Sequence, residues 1–252
     1  MTTLPGSLLP SLRRGLRHLV DFALPWQCTI CFRQDERANE SFCVNCLQQL
    51  TSTGNPCRRC GAIVGPFATT AGNCPHCRRR PFRFRSARCL NMYDEALRTV
   101  IVRSKQSFSS AAMRGVGQLL VSQRRQWLTE QAVDRILPIP QPWLTRLTRN
   151  FNPADVIGRS VGQALGIRVD PHILRRRRGW QLPQKKVPLA RRYENQKNAF
   201  RLRDAHLIRG QCVLLVDDVL TTGATCSEAA RLLKAAGAKD VHVLVAARVA
   251  DH

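Results

Sequence analysis

Two groups of residues in this chain have the types and spacing to do chemistry. Eight of its eleven cysteines fall in four C-x2-C pairs, Cys28/Cys31, Cys43/Cys46, Cys57/Cys60 and Cys74/Cys77. Two residues between thiols let both sulfurs of one tight turn reach a single ion at about 2.3 Å, a zinc–thiolate bond length. Eleven residues separate the first two pairs and thirteen the last two, which suits a double ribbon in which each of two zinc ions takes two consecutive pairs. Four thiolates around an ion leave no position open to substrate, so these zinc ions are structural and replace a core this stretch cannot otherwise build. His76 lies inside the last knuckle, but four thiols already complete that set.

The second group is the run Val213-Leu-Leu-Val-Asp217-Asp218-Val-Leu-Thr221-Thr222-Gly223-Ala224-Thr225. Its apolar half reads as a buried strand, with two acids at the carboxyl end. A hydroxyl- and glycine-rich turn then opens a helix over 224–236, which Gly237 stops. Amides at a helix start, with threonine hydroxyls beside them, suit a phosphate dianion. Adjacent carboxylates are costly unless they meet hydroxyls or a divalent cation. Read as ordinary solvated charges and an ordinary cap, the acids and the Thr-Thr-Gly turn would be a coincidence.

Positioning such a site requires a framework. From about residue 87 the pattern alternates: a strand over 87–93, a helix from Asp94 to about Arg103 with Asp94 as its cap, and a helix over roughly 111–126. A strand over 136–139, ended by Pro140, precedes a helix over 154–165. Apolar strands alternating with helices predict an α/β fold, a mostly parallel sheet flanked by helices. The domains expected are an N-terminal helical segment at 1–25, the double zinc ribbon at 26–80 and the α/β domain at 87–252. Cys212 and Cys226 read as small core hydrophobes; nothing in the sequence places Cys89.

With 40 Lys and Arg against 17 Asp and Glu, the chain carries a formal +23, which eight thiolates and two zinc ions lower by only four. Residues 172–210 hold twelve of those cations and two acids, and within them residues 175–198, broken by Gly179, Pro183 and Pro188, read as a long loop carrying cations. A field of this sign favours phosphates, on a small ligand or on single-stranded DNA. The stretch from Arg78 to Arg85 interleaves arginines with Phe82 and Phe84, and either contacts a single strand or tucks its rings between the domains. No segment reaches the roughly 20 apolar residues of a membrane span, and arginines interrupt every apolar run near the N-terminus. Unoxidised, metal-spaced thiols fit a cytoplasmic protein.

The run 213–225 resembles the PRPP-binding motif of type I phosphoribosyltransferases. That resemblance implies that Asp217 and Asp218 hold the ribose hydroxyls and an associated Mg2+, while Thr221, Thr222, Gly223, Ala224 and Thr225 wrap the 5'-phosphate. Cysteine quartets ahead of such a domain are similar to the ComF family, which includes the GntX-type proteins of DNA utilisation. Further positions agree: Lys105 after the Tyr93 helix start, Pro138-Ile-Pro140 followed by Arg149-Asn-Phe151-Asn152, and Gln184 with Asn195 and Asn198-Ala-Phe200. Lys105, Arg149, Gln184 and Asn195 are thereby candidates for the pyrophosphate and loop region. The resemblance runs from about residue 26 to 249. It implies a type I phosphoribosyltransferase fold behind a double zinc ribbon, binding PRPP or a 5'-phosphorylated ribose, in competence, DNA uptake or use of external DNA. Single-stranded DNA and a competence helicase are the implied partners. The alternative is an active phosphoribosyltransferase of nucleotide salvage.

Overall fold

A computed structural model describes residues 26–39, 41–51, 54–65, 74–78, 80–106, 110–142, 145, 150–177 and 191–250. The helical segment expected at 1–25 lies outside the described residues, as do Arg149, Gln184 and the side chain of Lys105. In chain order the elements are α1 (Val44–Leu50), β1 (Asn55–Pro56), β2 (Ile63–Val64), β3 (Ser86–Met92), α2 (Glu95–Gln106), α3 (Ala111–Glu130), β4 (Arg135–Pro138), α4 (Pro153–Leu165), β5 (Arg168–Val169), β6 (Leu174–Arg176), α5 (Arg192–Gln196), β7 (Phe200–Leu202), β8 (Cys212–Leu220), α6 (Ala224–Ala235) and β9 (Asp240–Arg248).

Local chemistry sets the helix ends, at Asp94 and Gly237 as the sequence predicts. Asp94 Oδ1 accepts the Leu97 amide at 2.9 Å, the N-cap bond that starts α2. Asn152 caps α4 through the Ala154 amide at 3.2 Å, Pro153 follows at its first position, and Gly166 ends it in the left-handed region. Past α6, the Ala238 amide bonds back to Leu233 O at 3.0 Å and that of Gly237 to Lys234 O, which closes the last turn.

Five strands form one parallel sheet in the order β3-β9-β8-β4-β5. Side chains of a strand alternate between faces, and β8 and β9 show it. Leu214, Val216, Leu244 and Ala246 join the core under α2, α3 and α4, whereas Val213, Leu215, Val243 and Val245 join the core under α6 and Phe200. The sheet is covered on both sides, as expected of parallel strands.

Among the described residues, the loop expected over 175–198 contains regular structure. Arg175 and Arg176 lie in β6, paired antiparallel with β7 through Arg175↔Arg201, and Arg192–Gln196 form α5. The partner strand lies beyond the cation-rich stretch, so local composition could not announce the pairing.

The cysteine-rich segment packs directly on the α/β body. Phe42 and Leu50 enter the core with α2 and α3. Ser41 Oγ donates to Ala111 O at 2.9 Å, and a Cβ on Gly115 would stand 2.6 Å from Ser41 Cβ, so only glycine permits this approach of α3.

Candidate functional site

The cysteines are gathered as their spacing predicts. Cys28, Cys31, Cys43 and Cys46 form one group and Cys57, Cys60, Cys74 and Cys77 another, with the sulfurs of each within 4.8 Å of one another. One backbone device recurs at all four pairs: the amide four residues after the first cysteine bonds to that cysteine's carbonyl. Phe32, Leu47, Gly61 and Arg78 donate these bonds at 2.9–3.0 Å. Both side chains of each pair are thereby turned the same way. The sulfur separations that are resolved, Cys31–Cys43 and Cys57–Cys77 at 3.8 Å, Cys74–Cys77 at 3.6 Å and Cys60–Cys74 at 3.5 Å, fit a tetrahedron with 2.3 Å bonds, whose edges are about 3.8 Å. The donor sets therefore fit a tetrathiolate metal ion. In the first group Cys31 is partly exposed; in the second all four thiols are buried.

At the phosphate-type turn, β8 runs through both acids to Leu220, further than its apolar half suggests, because β9 stays paired alongside through Leu220↔Arg248. β4 stops opposite Val216, so Asp217 and Asp218 emerge where the sheet narrows. Both are half-buried, and Asp217 Oδ1 accepts the Asp218 amide at 2.9 Å. α6 follows at once, with Gly223 at φ 80 as its N-cap. Any side chain there would be strained by the backbone, and a Cβ would meet the Phe82 ring at 2.5 Å. Thr221 and Thr225 are half-exposed, whereas Thr222 is fully buried. The Thr222 Oγ1 accepts the Ala224 amide at 3.4 Å, so this threonine shapes the turn from inside.

Four residues support this turn, and of them the sequence reading singled out Phe82 alone. The phenol of Tyr193 donates to Thr222 O at 2.9 Å. Phe82 stacks on Phe84 with centroids 4.6 Å apart and covers Gly223, so the Arg78–Arg85 stretch tucks its rings inward. Arg176 lies against Gln196 Oε1 at 3.3 Å and over the Phe200 ring. Burial lowers its pKa, while the nearby Asp217 carboxylate favours its charged form. Arg248, fully buried at the end of β9, donates to the carbonyls of Leu220 and Thr221 in the turn, and to His76 O at 3.4 Å inside the last cysteine knuckle. It therefore joins the second cysteine group to the phosphate-type turn.

Of the loop candidates, Asn195 is half-buried on α5 beside Gln196, and Lys105 lies on α2. The three unpaired cysteines are core residues. Cys89 donates to Gly61 O at 3.0 Å and burial pushes its thiol up to about 12; Cys212 is pushed up to about 11. Burial, reinforced by Asp217 and Asp218, raises Cys226 well above the ordinary thiol range. None is a ready nucleophile.

Residues 155–251 match the phosphoribosyl transferase domain. The chain is 27% identical over 223 residues, 87% of its length and 96% of the relative's, to the DNA utilization protein YhgH of Salmonella typhimurium. It is 26% identical over 227 residues, 88% and 97% of the two lengths, to competence protein F of Haemophilus influenzae. A shorter stretch of 85 residues, 32% of this chain and 45% of the other, is 35% identical to the adenine phosphoribosyltransferase of Mycobacterium marinum. Fold and site thus define a phosphoribosyltransferase-type domain carrying two N-terminal four-cysteine groups. Over most of its length the chain is similar to YhgH and competence protein F, in keeping with the resemblance to the ComF family. Among the described residues no helix is long and apolar enough to cross a membrane.

Proposed function

We propose that this chain binds PRPP or another 5'-phosphorylated ribose at residues 217–225 and serves in competence, DNA uptake or the use of external DNA. The observation that carries the reading is the passage from β8 into α6. Two carboxylates stand at the strand end, and a turn built on Gly223 leads straight into a helix whose first amides have no intrahelical acceptor. Phosphate suits those amides and the Thr221 and Thr225 hydroxyls, and the ribose diol suits Asp217 and Asp218. Mg2+, arriving with PRPP, would neutralise its pyrophosphate beside the two acids. Lys105, Arg149, Gln184 and Asn195 are assigned to the pyrophosphate and loop region. The two four-cysteine groups hold two structural zinc ions, consistent with thiols that are buried except at Cys31 and with a cytoplasmic location. Family relatives named for DNA utilization and competence, together with the +23 charge, support single-stranded DNA as a partner. A competence helicase docking on the zinc module completes the reading.

PRPP with Mg2+ should raise the melting temperature, since at a hundred times its Kd a ligand adds about 2.7 kcal/mol to native stability. Asp217→Asn with Asp218→Asn should abolish that shift and leave the fold intact. A shift unchanged in the double variant would exclude the two acids as the ribose clamp. The 85-residue likeness to an adenine phosphoribosyltransferase favours, as a second reading, transfer of the phosphoribosyl group to a base. Release of pyrophosphate only when a nucleobase is added would establish it.

A further inference from the structure

The second cysteine group borders a cleft of about 590 Å³ that lies apart from the turn at 221–225. Its walls are the knuckle residues Arg58 and Arg59, the start of β3 with Arg85 and Arg88, and the end of α3 with Trp127 and Glu130. All five strands run parallel, so the start of β3 and the end of α3 belong to the opposite edge of the sheet from the carboxyl ends that carry Asp217 and Asp218. The volume falls within the usual range for small-ligand sites, about 300–1,000 Å³.

The charge in this cleft is out of balance. Four guanidiniums line it against one carboxylate, Glu130, which is solvent-exposed. Arg85 pairs with Asp240 at 2.9 Å, but among the described residues no carboxylate pairs with Arg58, Arg59 or Arg88. Arg88 is half-buried. It lies over the Trp127 ring, 5.1 Å from its centroid, and its Nη1 donates to Ala87 O at 2.9 Å, Arg58 O at 3.2 Å and Cys57 O at 3.4 Å. Behind it Arg124 is held by Cys89 O and Leu90 O, again by carbonyls. Burial and the mutual repulsion of these two guanidiniums lower the pKa of Arg88. A zinc-loaded tetrathiolate that includes Cys57 would contribute a formal −2 and Glu130 and Asp240 one each, which the five guanidiniums of Arg58, Arg59, Arg85, Arg88 and Arg124 still exceed. Buried charge without a counter-ion is costly, and carbonyls fix the direction of Arg88 without neutralising it. Planar guanidiniums held in place pair bidentately with phosphate oxygens.

We propose that this cleft is a second anion site, built for the phosphate group of a nucleotide or of a nucleic-acid strand. It stands independently of what the turn at 221–225 binds. Trp127 supplies a local reporter through its indole N–H resonance in tryptophan-labelled full-length protein with both metal groups loaded, assigned with Trp127→Phe. Titration with thymidine 5'-monophosphate, inorganic phosphate or a short 5'-phosphorylated oligothymidylate should move that resonance. Arg58→Gln with Arg85→Gln changes two exposed side chains and should raise the half-saturating concentration about tenfold, equivalent to 1.4 kcal/mol. Arg88→Gln should raise it further; because Arg88 also ties the knuckle, the exposed pair keeps the test valid if that variant misfolds. Ribose 5-phosphate binding at the turn should be unchanged in the exposed pair. If the mononucleotide acts as well as the oligonucleotide, the natural ligand is a free nucleotide. If only the oligonucleotide acts, and salt weakens it with a log–log slope of roughly −0.7 per contact, it is a single strand. A resonance that stays still with every anion at millimolar concentration, or equal half-saturation in wild type and the exposed pair, overturns the proposal.

Discussion

The two four-cysteine groups share ligand type, spacing and backbone turns, yet they sit in different surroundings. The first keeps Cys31 partly exposed and faces the helical layer through Phe42 and Leu50. Its outer ring, Phe32, is 58% exposed, with the Arg103 guanidinium over it. The second is wholly buried, shares its cluster with Phe82, touches β3, and is joined to the turn at 221–225 through Arg248. The same four-thiol donor set thus lies in one group against the helical core and in the other beside the turn at 221–225. Neighbours, not ligands, would decide what a metal held by either group does.

Removing one thiol from each group is the strongest test of this contrast. Apparent zinc-binding free energies in small modules reach about 10–16 kcal/mol, most of it folding energy. Cys60→Ser should therefore cost the second ion and the PRPP-induced thermal shift together. Cys31→Ser should lower metal content and stability while the shift survives. Native mass spectrometry and melting curves read both, and equal loss of the shift in the two variants would erase the distinction.

Acid should act next, through the sheet edge beneath the second group. His242 is 2% exposed, accepts or donates one bond with Ser86 Oγ at 2.8 Å and meets the edge of Trp127. Burial holds its pKa down at about 4 against 6.5, with Arg85 and Arg88 pushing the same way and Asp240 opposing them. The unfolded chain therefore takes up this proton first as pH falls. The stabilisation is complete above pH 6.5 and drains away towards pH 4, on the order of 3 kcal/mol. Urea unfolding at several pH values should show that slope, and it should flatten in His242→Asn.

The smallest effect separates two phenylalanines. Phe82→Ala removes the Phe84 stack and the cover of Gly223, and should cost about 2 kcal/mol for a partly buried ring and weaken the ligand shift. Phe32→Ala on the first group should stay within about 0.5 kcal/mol, as exposed substitutions do. Equal losses would mean that Phe82 is not a special contact.

What the sequence made legible is what neighbours along the chain decide. The cysteine pairs, the Asp94 cap, and the strand–turn–helix from Val213 to Ala235 each depend on residues within a few positions of one another. β9 was not assigned, although residues 241–247 are apolar apart from His242, and its place beside β8 is a tertiary fact. The β6–β7 pair joins Arg175 to Arg201 across a cation-rich stretch whose composition reads as loop. Arg248 was the least legible of all. A charged residue after an apolar run reads as a strand end meeting solvent, whereas its acceptors lie 27 and 172 positions away. Only the assembled fold gathers those carbonyls around it.

That single guanidinium has a thermodynamic consequence. Because Arg248 binds carbonyls of the last cysteine knuckle and of the turn at once, ordering either segment lowers the cost of ordering the other. Linkage then requires symmetry: whatever factor metal occupancy adds to ligand affinity, the bound ligand must return to metal retention. A chelator should consequently strip the second group more slowly from ligand-saturated protein, and the first group at an unaltered rate.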